Sequence, residues 1–572
     1  MNIAQYMVEL MHEAGIKRIW GVTGDSLNGL ADALRKENAI EWVGTRHEEV
    51  AAFAAGAEAE ITGKLAVCAG SCGPGNMHLI NGLYNCYRNK SPVLAIASDI
   101  PSSEVGTNYF QETDPVHLYK ECSVYCEKIT SPAQIPQVLE TAMRQAILKK
   151  GVSTLVIPGD VLLMELPKNI QLKWQQPIPP AFPPSSDEIL LFNELLSHSK
   201  RTVLFCGAGC KDAREEVIAL AKKLKAPIAH ALRGKEYIEY DNPYDVGMTG
   251  LLGFASGYYA MESADTVILL GTGFPFRNFY PKDATIIQVD IDPAVIGRHT
   301  QVDLGIVADV KATINALLPL LMENQDEKFL NACLDHYKKT RADMDKLAEI
   351  KPKSTLIHPQ TLFKLISEKA ADNTIFSCDV GTPTLWSARY LKIGENRRLI
   401  GSFNHGSMAN AMPQAIGAQI VDRNRPVIAM CGDGGFSMLM GDFLSLVEHN
   451  LPVKIVVLNN SSLSFVNLEM KAAGFVSTAT DMKNPSFAAI AEACGIKGIK
   501  AKDPHKLGDA IDEFLAHPGA ALLEVITDKN ELAMPPKINH TEEKGFGIYM
   551  LKALFNGYGD ELVDLAKVNL LR

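Results

Sequence analysis

The chain has no excess of positive charge and no long apolar run, and both absences narrow its function. Its 56 lysines and arginines are outnumbered by 66 aspartates and glutamates. Because affinity for nucleic acid depends on clustered lysine and arginine, we expect no nucleic-acid partner. No apolar run approaches the roughly 18 residues of a membrane-spanning helix, and the first residues contain no apolar signal-peptide core. The sequence therefore predicts a cytoplasmic protein without a transmembrane helix.

Cysteine spacing of the kind that binds structural zinc is also missing. The chain has 11 cysteines, an odd number, scattered through apolar segments. Three pairs are separated by three residues, but no histidine pair accompanies them. In a chain without an export signal, this pattern predicts buried free thiols and not disulfides or zinc ligands.

What the chain does have is an alternation of apolar strands and helical stretches. At 572 residues it is long enough for three or four domains. Continuous apolar strands separated by helices predict parallel sheets covered on both faces. A stretch containing six prolines at residues 165–188 interrupts this pattern. The predicted fold class is α/β, with three doubly wound parallel-sheet domains at residues 1–182, 183–334 and 335–530 and a C-terminal amphipathic tail at 531–572.

Two polar motifs follow successive predicted strands of the third domain. Gly432-Asp433-Gly434 follows one apolar run, and Asn459-Asn460 follows the next, with 24 residues between the motifs. In a right-handed βαβ unit both motifs emerge at the carboxyl edge of the sheet. Asp433 and Asn460 offer oxygens that suit Mg²⁺, and the glycines Gly434 and Gly435 allow backbone N–H groups to approach phosphates. Either motif alone would indicate only a turn or a loop, but together they predict a metal-bound diphosphate.

This spacing resembles the signature of the thiamine diphosphate (ThDP, or thiamine pyrophosphate) enzymes. In the first domain, the segment Arg46-His47-Glu48-Glu49 precedes a small-residue helix. It is similar to the segment in which a glutamate of that family hydrogen-bonds the aminopyrimidine ring of ThDP. The resemblance implies that Glu48 is this catalytic residue, with Glu49 as a solvated helix residue. The alternative is that both acids only stabilise the start of the helix.

The resemblance also implies the rest of a ThDP site in the third domain. Asp433, Asn460 and the Ser462 carbonyl would bind Mg²⁺, and the Met408 side chain would wedge ThDP into a bent shape. Phe465 would be a catalytic, mobile gate between ThDP and a flavin. For Met408 and Phe465, a role in the core is the alternative. The ThDP-binding residues implied beside Glu48 are Gly406, Ser407, Met408, Asp433, Gly434, Gly435, Asn460, Ser461, Ser462, Leu463, Ser464, Phe465 and Val466.

The middle domain resembles the FAD domains of the pyruvate oxidase and acetohydroxyacid synthase branch of this family. Three of its segments, 247–253, 270–277 and 288–292, are similar to the FAD-contacting segments of that branch, and Asp290 at a strand end suits a ribose hydroxyl. The FAD-binding residues that the resemblance implies are Thr249, Gly250, Leu251, Leu252, Thr272, Gly273, Phe274, Pro275, Phe276 and Asp290.

Over nearly its whole length the chain resembles the bacterial ubiquinone-dependent pyruvate oxidases, including segments 22–30, 109–113 and 436–440. The resemblance implies oxidative decarboxylation of pyruvate to acetate and CO₂, with Phe110 and Gln111 beside the substrate. ThDP, Mg²⁺ and FAD would be the cofactors and ubiquinone the electron acceptor. It also implies a homo-oligomer, a dimer of dimers, in which each ThDP lies between two subunits. The rival interpretations are a carboligase with structural FAD, a soluble O₂- and phosphate-dependent oxidase, and a flavoprotein scaffold without turnover.

The last residues form an amphipathic pattern. On a helical wheel, Leu562, Val563, Leu565, Ala566 and Leu570 face away from Asp560, Asp564 and Lys567. Such a helix more often packs into a core, but the resemblance implies a tail that docks on membrane lipid. Its acids argue against binding by charge, so apolar insertion after release of the tail is expected. The protein would then be peripheral on the inner face of the cell membrane when activated.

Overall fold

The computed structural model describes residues 1–168, 170–531, 550 and 569. Within these residues the chain forms three sheets, each with six strands that are all parallel. Helices cover both faces of each sheet, so the predicted α/β class with three doubly wound domains is confirmed. The predicted tail at 531–572 lies almost entirely outside the described residues. None of the described helices is long and apolar enough to cross a membrane.

The first sheet has the strand order β2-β1-β3-β4-β6-β5. Its strands are β1 (Arg18–Gly21), β2 (Glu41–Gly44), β3 (Ala66–Gly70), β4 (Val93–Asp99), β5 (Tyr125–Lys128) and β6 (Val152–Pro158). Its helices are α1 (Ile3–Glu13), α2 (Asn28–Glu37), α3 (Glu48–Thr62), α4 (Pro74–Asn89), α5 (Pro115–Tyr119) and α6 (Ile135–Lys149).

The second sheet has the order β12-β11-β10-β7-β8-β9, which is the order of dinucleotide-binding folds. Its strands are β7 (Thr202–Cys206), β8 (Ile228–His230), β9 (Asp245–Met248), β10 (Thr266–Leu270), β11 (Thr285–Asp290) and β12 (Leu304–Val307). The helices are α7 (Ser186–Ser197), α8 (Arg214–Leu224), α9 (Lys235–Ile238), α10 (Ala255–Ser263), α11 (Val310–Leu317) and α12 (Lys328–Leu347). The predicted boundary between residues 334 and 335 falls inside α12, so this helix continues from the second domain toward the third.

The third sheet, ordered β14-β13-β15-β16-β18-β17, repeats the topology of the first. Its strands are β13 (Ile375–Cys378), β14 (Arg398–Gly401), β15 (Val427–Gly432), β16 (Lys454–Asn459), β17 (Lys497–Ala501) and β18 (Ala521–Ile526). The helices are α13 (Pro359–Lys369), α14 (Thr382–Tyr390), α15 (Ala411–Val421), α16 (Asp433–Met438), α17 (Phe443–Glu448), α18 (Ser464–Ala472), α19 (Phe487–Ala493) and α20 (Leu507–Ala516).

The first and third domains pack on each other through small residues. Helix α3 is rich in alanine, and α15 crosses it so closely that a Cβ placed on Gly417 would lie 2.8 Å from Ala54 Cα. Both helices are almost entirely buried. Hydrogen bonds flank this contact: the Asn89 amide donates to Gly401 O at 2.9 Å, and the Arg46 N–H donates to Asp442 Oδ1 at 2.8 Å. This interface fixes the start of α3, where Glu48 lies, relative to the third sheet.

All 11 cysteines are free, and nine of them are buried. The prediction of buried free thiols therefore agrees with the structure. Burial raises the pKa of several of these thiols, for example that of Cys378 to about 12. A neutral buried thiol packs as a small apolar side chain, so these cysteines belong to the cores of the domains.

Candidate active site

Glu48 is the first residue of α3, directly after the short edge strand β2 and its loop. His47 caps this helix, since its Nδ1 accepts the Glu49 N–H at 3.2 Å. The Glu48 side chain is buried, and its Oε2 lies 2.9 Å from His78 Nδ1 on α4. Its Oε1 passes close to Gly75, where a Cβ would be only 3.0 Å away. The carboxylate is thus held between α3 and the start of α4.

His47, Glu48 and His78 have ligand-type atoms within 4.8 Å of one another. The two imidazole rings are stacked, with centroids 4.4 Å apart and planes 25° apart. Their nitrogen lone pairs lie in the ring planes, and because these planes are stacked and nearly parallel, the lone pairs of the two rings do not converge as a tetrahedral metal site requires. The arrangement suits a hydrogen bond to Glu48 better than chelation.

Asp433 and Asn460 lie at the carboxyl ends of the adjacent strands β15 and β16, as predicted. The register sets Gly432 opposite Leu458, so the two motifs leave the sheet side by side. Asp433 Oδ2 accepts the Ser461 N–H at 2.7 Å, which ties the two motifs together. The Asn460 Oδ1 accepts the Ser462 N–H at 3.0 Å. Burial raises the pKa of Asp433 to about 6, so a cation beside this carboxylate would relieve an unfavourable buried charge.

Gly434 and Gly435 are needed because other groups lie directly against them. A Cβ on Gly434 would be 2.8 Å from Leu463 Cδ2 and 3.2 Å from Met408 Cε, so Met408 and Leu463 meet above the start of α16. A Cβ on Gly435 would collide with the buried carboxylate of Asp379. The structure therefore brings the predicted residues Met408, Gly434 and Leu463 together.

The remaining predicted residues of the third domain lie around this point. Ser407 Oγ accepts a hydrogen bond at 2.8 Å from Asn81 on α4, so the 406–408 loop contacts the first domain. Ser461 has a left-handed φ of 54°, which turns the chain after Asn460. Ser464, Phe465 and Val466 form the first turn of α18. Phe465 is half-buried and Val466 is exposed.

Gln111 lies at the same edge of the first sheet as Glu48. Its Oε1 accepts a hydrogen bond from Cys72 Sγ at 3.3 Å, and its backbone abuts Gly73 in the loop between β3 and α4. The adjacent Phe110 is 78% exposed. Gln111 is therefore held by Cys72 and Gly73 at the sheet edge where Glu48 lies, whereas the Phe110 ring extends into solvent.

In the middle domain, two glycine turns meet at the carboxyl ends of β7 and β10, the two strands between which the strand order reverses. A Cβ on Gly209 would be 2.6 Å from Gly271 Cα, so two glycine turns touch there. Gly250, with φ of 103°, packs against the Phe274 ring, which joins the predicted segments 249–252 and 272–276. Thr249 Oγ1 is buried without a hydrogen-bond partner in the described part of the chain. Asp290 ends β11, and burial raises the pKa of its carboxyl.

Sequence reasoning missed several residues that the fold adds to this region. Arg389 on α14 donates to the Leu252 and Gly253 carbonyls at 3.1 and 3.2 Å, and so connects the third domain to the 249–252 segment. Asn484 donates to Asp433 Oδ2 at 2.8 Å. His78 and Asn81, one helical turn apart on α4, lie 2.9 and 2.7 Å from the carboxylates of Glu48 and Glu49. Nothing in the local sequence marks Asn484 or Arg389.

The family models agree with this division of the chain. Residues 1–118 match the N-terminal TPP binding domain of thiamine pyrophosphate enzymes, 191–317 match their central domain, and 379–525 match their C-terminal TPP binding domain. A putative thiamine pyrophosphate-containing protein, YdaP of Bacillus subtilis, is 36% identical over 98% of both chains. The chain belongs to the thiamine pyrophosphate enzyme family.

Two further relatives show which members of the family are similar. A pyruvate oxidase of Lactiplantibacillus plantarum is 29% identical over 92% of this chain and 89% of its own length. A probable acetolactate synthase large subunit of Methanocaldococcus jannaschii is also 29% identical, over 94% of this chain and 93% of its own. As a thiamine pyrophosphate enzyme the chain has TPP binding domains at both ends, which carry Glu48 in one and the Asp433 and Asn460 motifs in the other.

Proposed function

We propose that this enzyme oxidatively decarboxylates pyruvate to acetate and CO₂, and passes the electrons through FAD to ubiquinone. The observation that carries this proposal is the middle sheet, whose strand order and touching glycine turns are those of a dinucleotide-binding domain. Bound ThDP would supply the decarboxylation chemistry and bound FAD the two-electron acceptor. An enzyme of this family with a flavin beside its ThDP site is equipped for redox chemistry as well as decarboxylation.

In the ThDP site, Asp433, Asn460 and the Ser462 carbonyl would hold Mg²⁺. The donor set fits, since it consists of hard oxygens and leaves room for diphosphate oxygens and water. The Gly435 N–H at the start of α16 would face the diphosphate, whereas the Gly434 N–H already donates to Asp433 Oδ1. Glu48 would hydrogen-bond the cofactor ring through the carboxylate oxygen that is not bonded to His78.

In the flavin site, the segments 249–252 and 272–276 would line FAD, with Asp290 toward a ribose hydroxyl. The fit is supported by the Thr249 hydroxyl, which is buried and lacks a partner among the described residues. Such a group costs about 1–3 kcal/mol unless something bonds to it. Leu251 and Phe276 are partly exposed and would offer apolar contacts to a ring system.

For the substrate, Gln111 would hydrogen-bond pyruvate, and Phe110 would close over it. Gln111 is anchored beside Gly73, on the same sheet edge as Glu48. Phe465, at the first turn of α18, would lie between the two cofactors as a gate. Because Phe465 is only five residues after Asn460, the loop that would bind the metal leads directly into the helix that would carry the gate.

We further infer a homo-oligomer in which Glu48 and the Asp433 motif of one site come from different subunits. Large apolar side chains remain exposed near the candidate site, and a second copy of the chain would cover them. They are Met77, Phe110, Met438, Leu444 and Val447. An isolated subunit would then be inactive.

A carboligase is the second candidate, favoured by the similarity to an acetolactate synthase. The two functions differ in product and in the use of the flavin. The purified enzyme with ThDP, Mg²⁺ and FAD is given pyruvate and a ubiquinone analogue without oxygen. We expect acetate and reduced quinone in equal amounts. Acetolactate without quinone reduction would support the carboligase, and acetyl phosphate formed only with O₂ and phosphate would support the soluble oxidase.

The tail would dock the enzyme on lipid, where ubiquinone is found. The residues in question lie outside the described part of the structure, so the sequence pattern alone supports this. We expect that removal of the residues after Asn556 abolishes the stimulation of quinone reduction by phospholipid vesicles. Pyruvate-dependent reduction of a water-soluble dye serves as the control and should persist. Unchanged stimulation by vesicles would remove the case for a lipid-binding tail.

A further inference from the structure

A second loop, residues 476–484, runs beside the loop that follows Asn460. The Leu463 N–H donates to Thr480 O at 2.8 Å, and the Met482 N–H donates to Ser461 O at 2.8 Å. Ser462 and Asp481 form an antiparallel bridge between them. The motif residues Ser461 to Leu463 are therefore paired, through backbone hydrogen bonds, with a segment about 20 residues later in the chain that no motif includes.

Asn484 ends this second loop and reaches into the site. Its Nδ2 donates to Asp433 Oδ2 at 2.8 Å and to Asn459 Oδ1 at 3.0 Å. Both hydrogens of one amide group are thus used on the two strand ends that carry the motif. The Asn484 amide therefore links the end of β15 to the end of β16.

A chain of charged and polar groups behind the strands fixes the direction of this amide. Glu524 on β18 is fully buried, and Lys500 Nζ donates to its Oε1 at 2.8 Å. Because an ionised carboxylate only accepts hydrogen bonds, Asn459 must turn its amide nitrogen to Glu524, at 2.9 Å. The Asn459 oxygen therefore faces Asn484, which must present its own nitrogen to both Asn459 and Asp433.

The two hydrogen bonds on Asp433 Oδ2 decide which oxygen of this carboxylate would face a cation. Oδ2 accepts from Ser461 N and from Asn484 Nδ2, and Oδ1 accepts from Gly434 N, at 2.9 Å. The Asn460 N–H also donates to this carboxylate. A carboxylate oxygen has about two acceptor positions, so Ser461 and Asn484 fill those of Oδ2, and a cation would be met by Oδ1. Without Asn484 one position on Oδ2 would be free, and the carboxylate could rotate.

We propose that Asn484 is a positioning residue for the metal site, which orients Asp433 so that its Oδ1 faces the cation. This rests on the proposed assignment of Asp433 and Asn460 to the metal. Groups that orient a metal ligand typically change metal affinity about 10–100-fold when removed. Asn484→Ala should therefore weaken cation binding by at least about 10-fold while the rest of the fold is kept.

Mn²⁺ is the probe, because its paramagnetic resonance signal reports free and bound ion separately. The full-length protein, saturated with FAD and ThDP, is titrated with Mn²⁺. For Asn484→Ala we expect a Kd raised about 10-fold or more and a broader spectrum of bound Mn²⁺, with FAD content and thermal midpoint unchanged. Asn484→Leu keeps the number and branching of the side-chain heavy atoms and removes both donors, so it should behave in the same way and serves if the alanine variant folds poorly.

Two variants away from Asp433 act as controls, one inside the loop and one at a residue that contacts the loop from outside. Thr478→Ala removes an exposed hydroxyl that bonds only within the loop. Lys529→Ala removes the exposed ion pair of Lys529 with Asp481, 3.0 Å long, and so loosens the loop without touching Asp433. Both should bind Mn²⁺ like the wild type. Equal affinity in Asn484→Ala, or an equal loss in Lys529→Ala, would overturn the proposal. Failure of the wild type to bind Mn²⁺ with ThDP would overturn the metal assignment, and this inference with it.

Discussion

Substitution of Gly417 by alanine tests how tightly the first and third domains of one chain pack on each other through α3 and α15. A Cβ at this position would lie 2.8 and 2.9 Å from Cα and C of Ala54, and closer still to its carbonyl oxygen. These are backbone atoms of a buried helix and cannot rotate away. Ordinary contacts between such atoms are about 3.5–4.0 Å, so the helices must separate by roughly 0.5–1 Å.

The magnitude follows from two opposing effects. Alanine is favoured over glycine inside a helix by about 1 kcal/mol. Overpacking of a close contact costs about 1–3 kcal/mol. We therefore expect a net loss of up to about 2 kcal/mol in the free energy of unfolding, which lowers the thermal midpoint by a few degrees. Because α3 begins at Glu48, ThDP affinity should fall as well.

Gly508→Ala is the matched control. Gly508 is also in a helix, α20, but a Cβ there would meet nothing within 4 Å. This variant should gain up to about 1 kcal/mol and bind ThDP normally. Thermal unfolding followed by circular dichroism, with ThDP titration of each variant, gives both quantities. If Gly417→Ala gains as much stability as Gly508→Ala, the α3–α15 contact is not as tight as the structure describes.

Three further predictions concern catalysis, assembly and pH. Glu48→Gln should lower pyruvate decarboxylation at least about 100-fold with FAD retained; unaltered turnover would mean that Glu48 is misassigned. Mixing and reassociating inactive Glu48→Gln and Asp433→Ala subunits should restore about a quarter of the wild-type sites if each site is shared, and none if it lies within one chain. Burial lowers the pKa of Lys454 from 10.5 to about 8. Between pH 8 and pH 10.5 the unfolded chain therefore binds more protons than the folded chain, so the free energy of unfolding should rise with pH across this range. Lys454→Met should remove this rise in the unfolding midpoint; an identical pH profile would contradict it.

The central strands were predictable from sequence, and the edge strands were not. Strands β7, β10 and β11 are continuous apolar runs in the sequence, as expected of strands that are buried on both faces. The strands at the two edges of each sheet are harder to recognise: β2, β5, β9, β12, β14 and β17. Most of these edge strands are short and partly exposed, so they lack a long apolar run. Strand β8 has only three residues and is too short to be recognised.

In the candidate site, too, some residues could be predicted from the sequence and others could not. Asp433 and Asn460 were predictable because strand ends and spacing place them at one edge. Met408 and Gly434 lie together in the structure, since a Cβ on Gly434 would be 3.2 Å from Met408 Cε. Asn484 was not predictable, since its contact with Asp433 depends on how a loop 51 residues away folds back over the strand ends. Contacts of this kind follow from tertiary packing and leave no local pattern in the sequence.

The central proposal, that electrons from pyruvate reach FAD, is tested most directly by mixing the enzyme with pyruvate in the absence of oxygen and any quinone. Flavin absorbance is followed in a stopped-flow spectrometer, and the products are then quantified. We predict that the oxidised flavin band disappears, with one acetate and one CO₂ formed per flavin reduced. A flavin that stays oxidised while acetolactate accumulates would contradict the account.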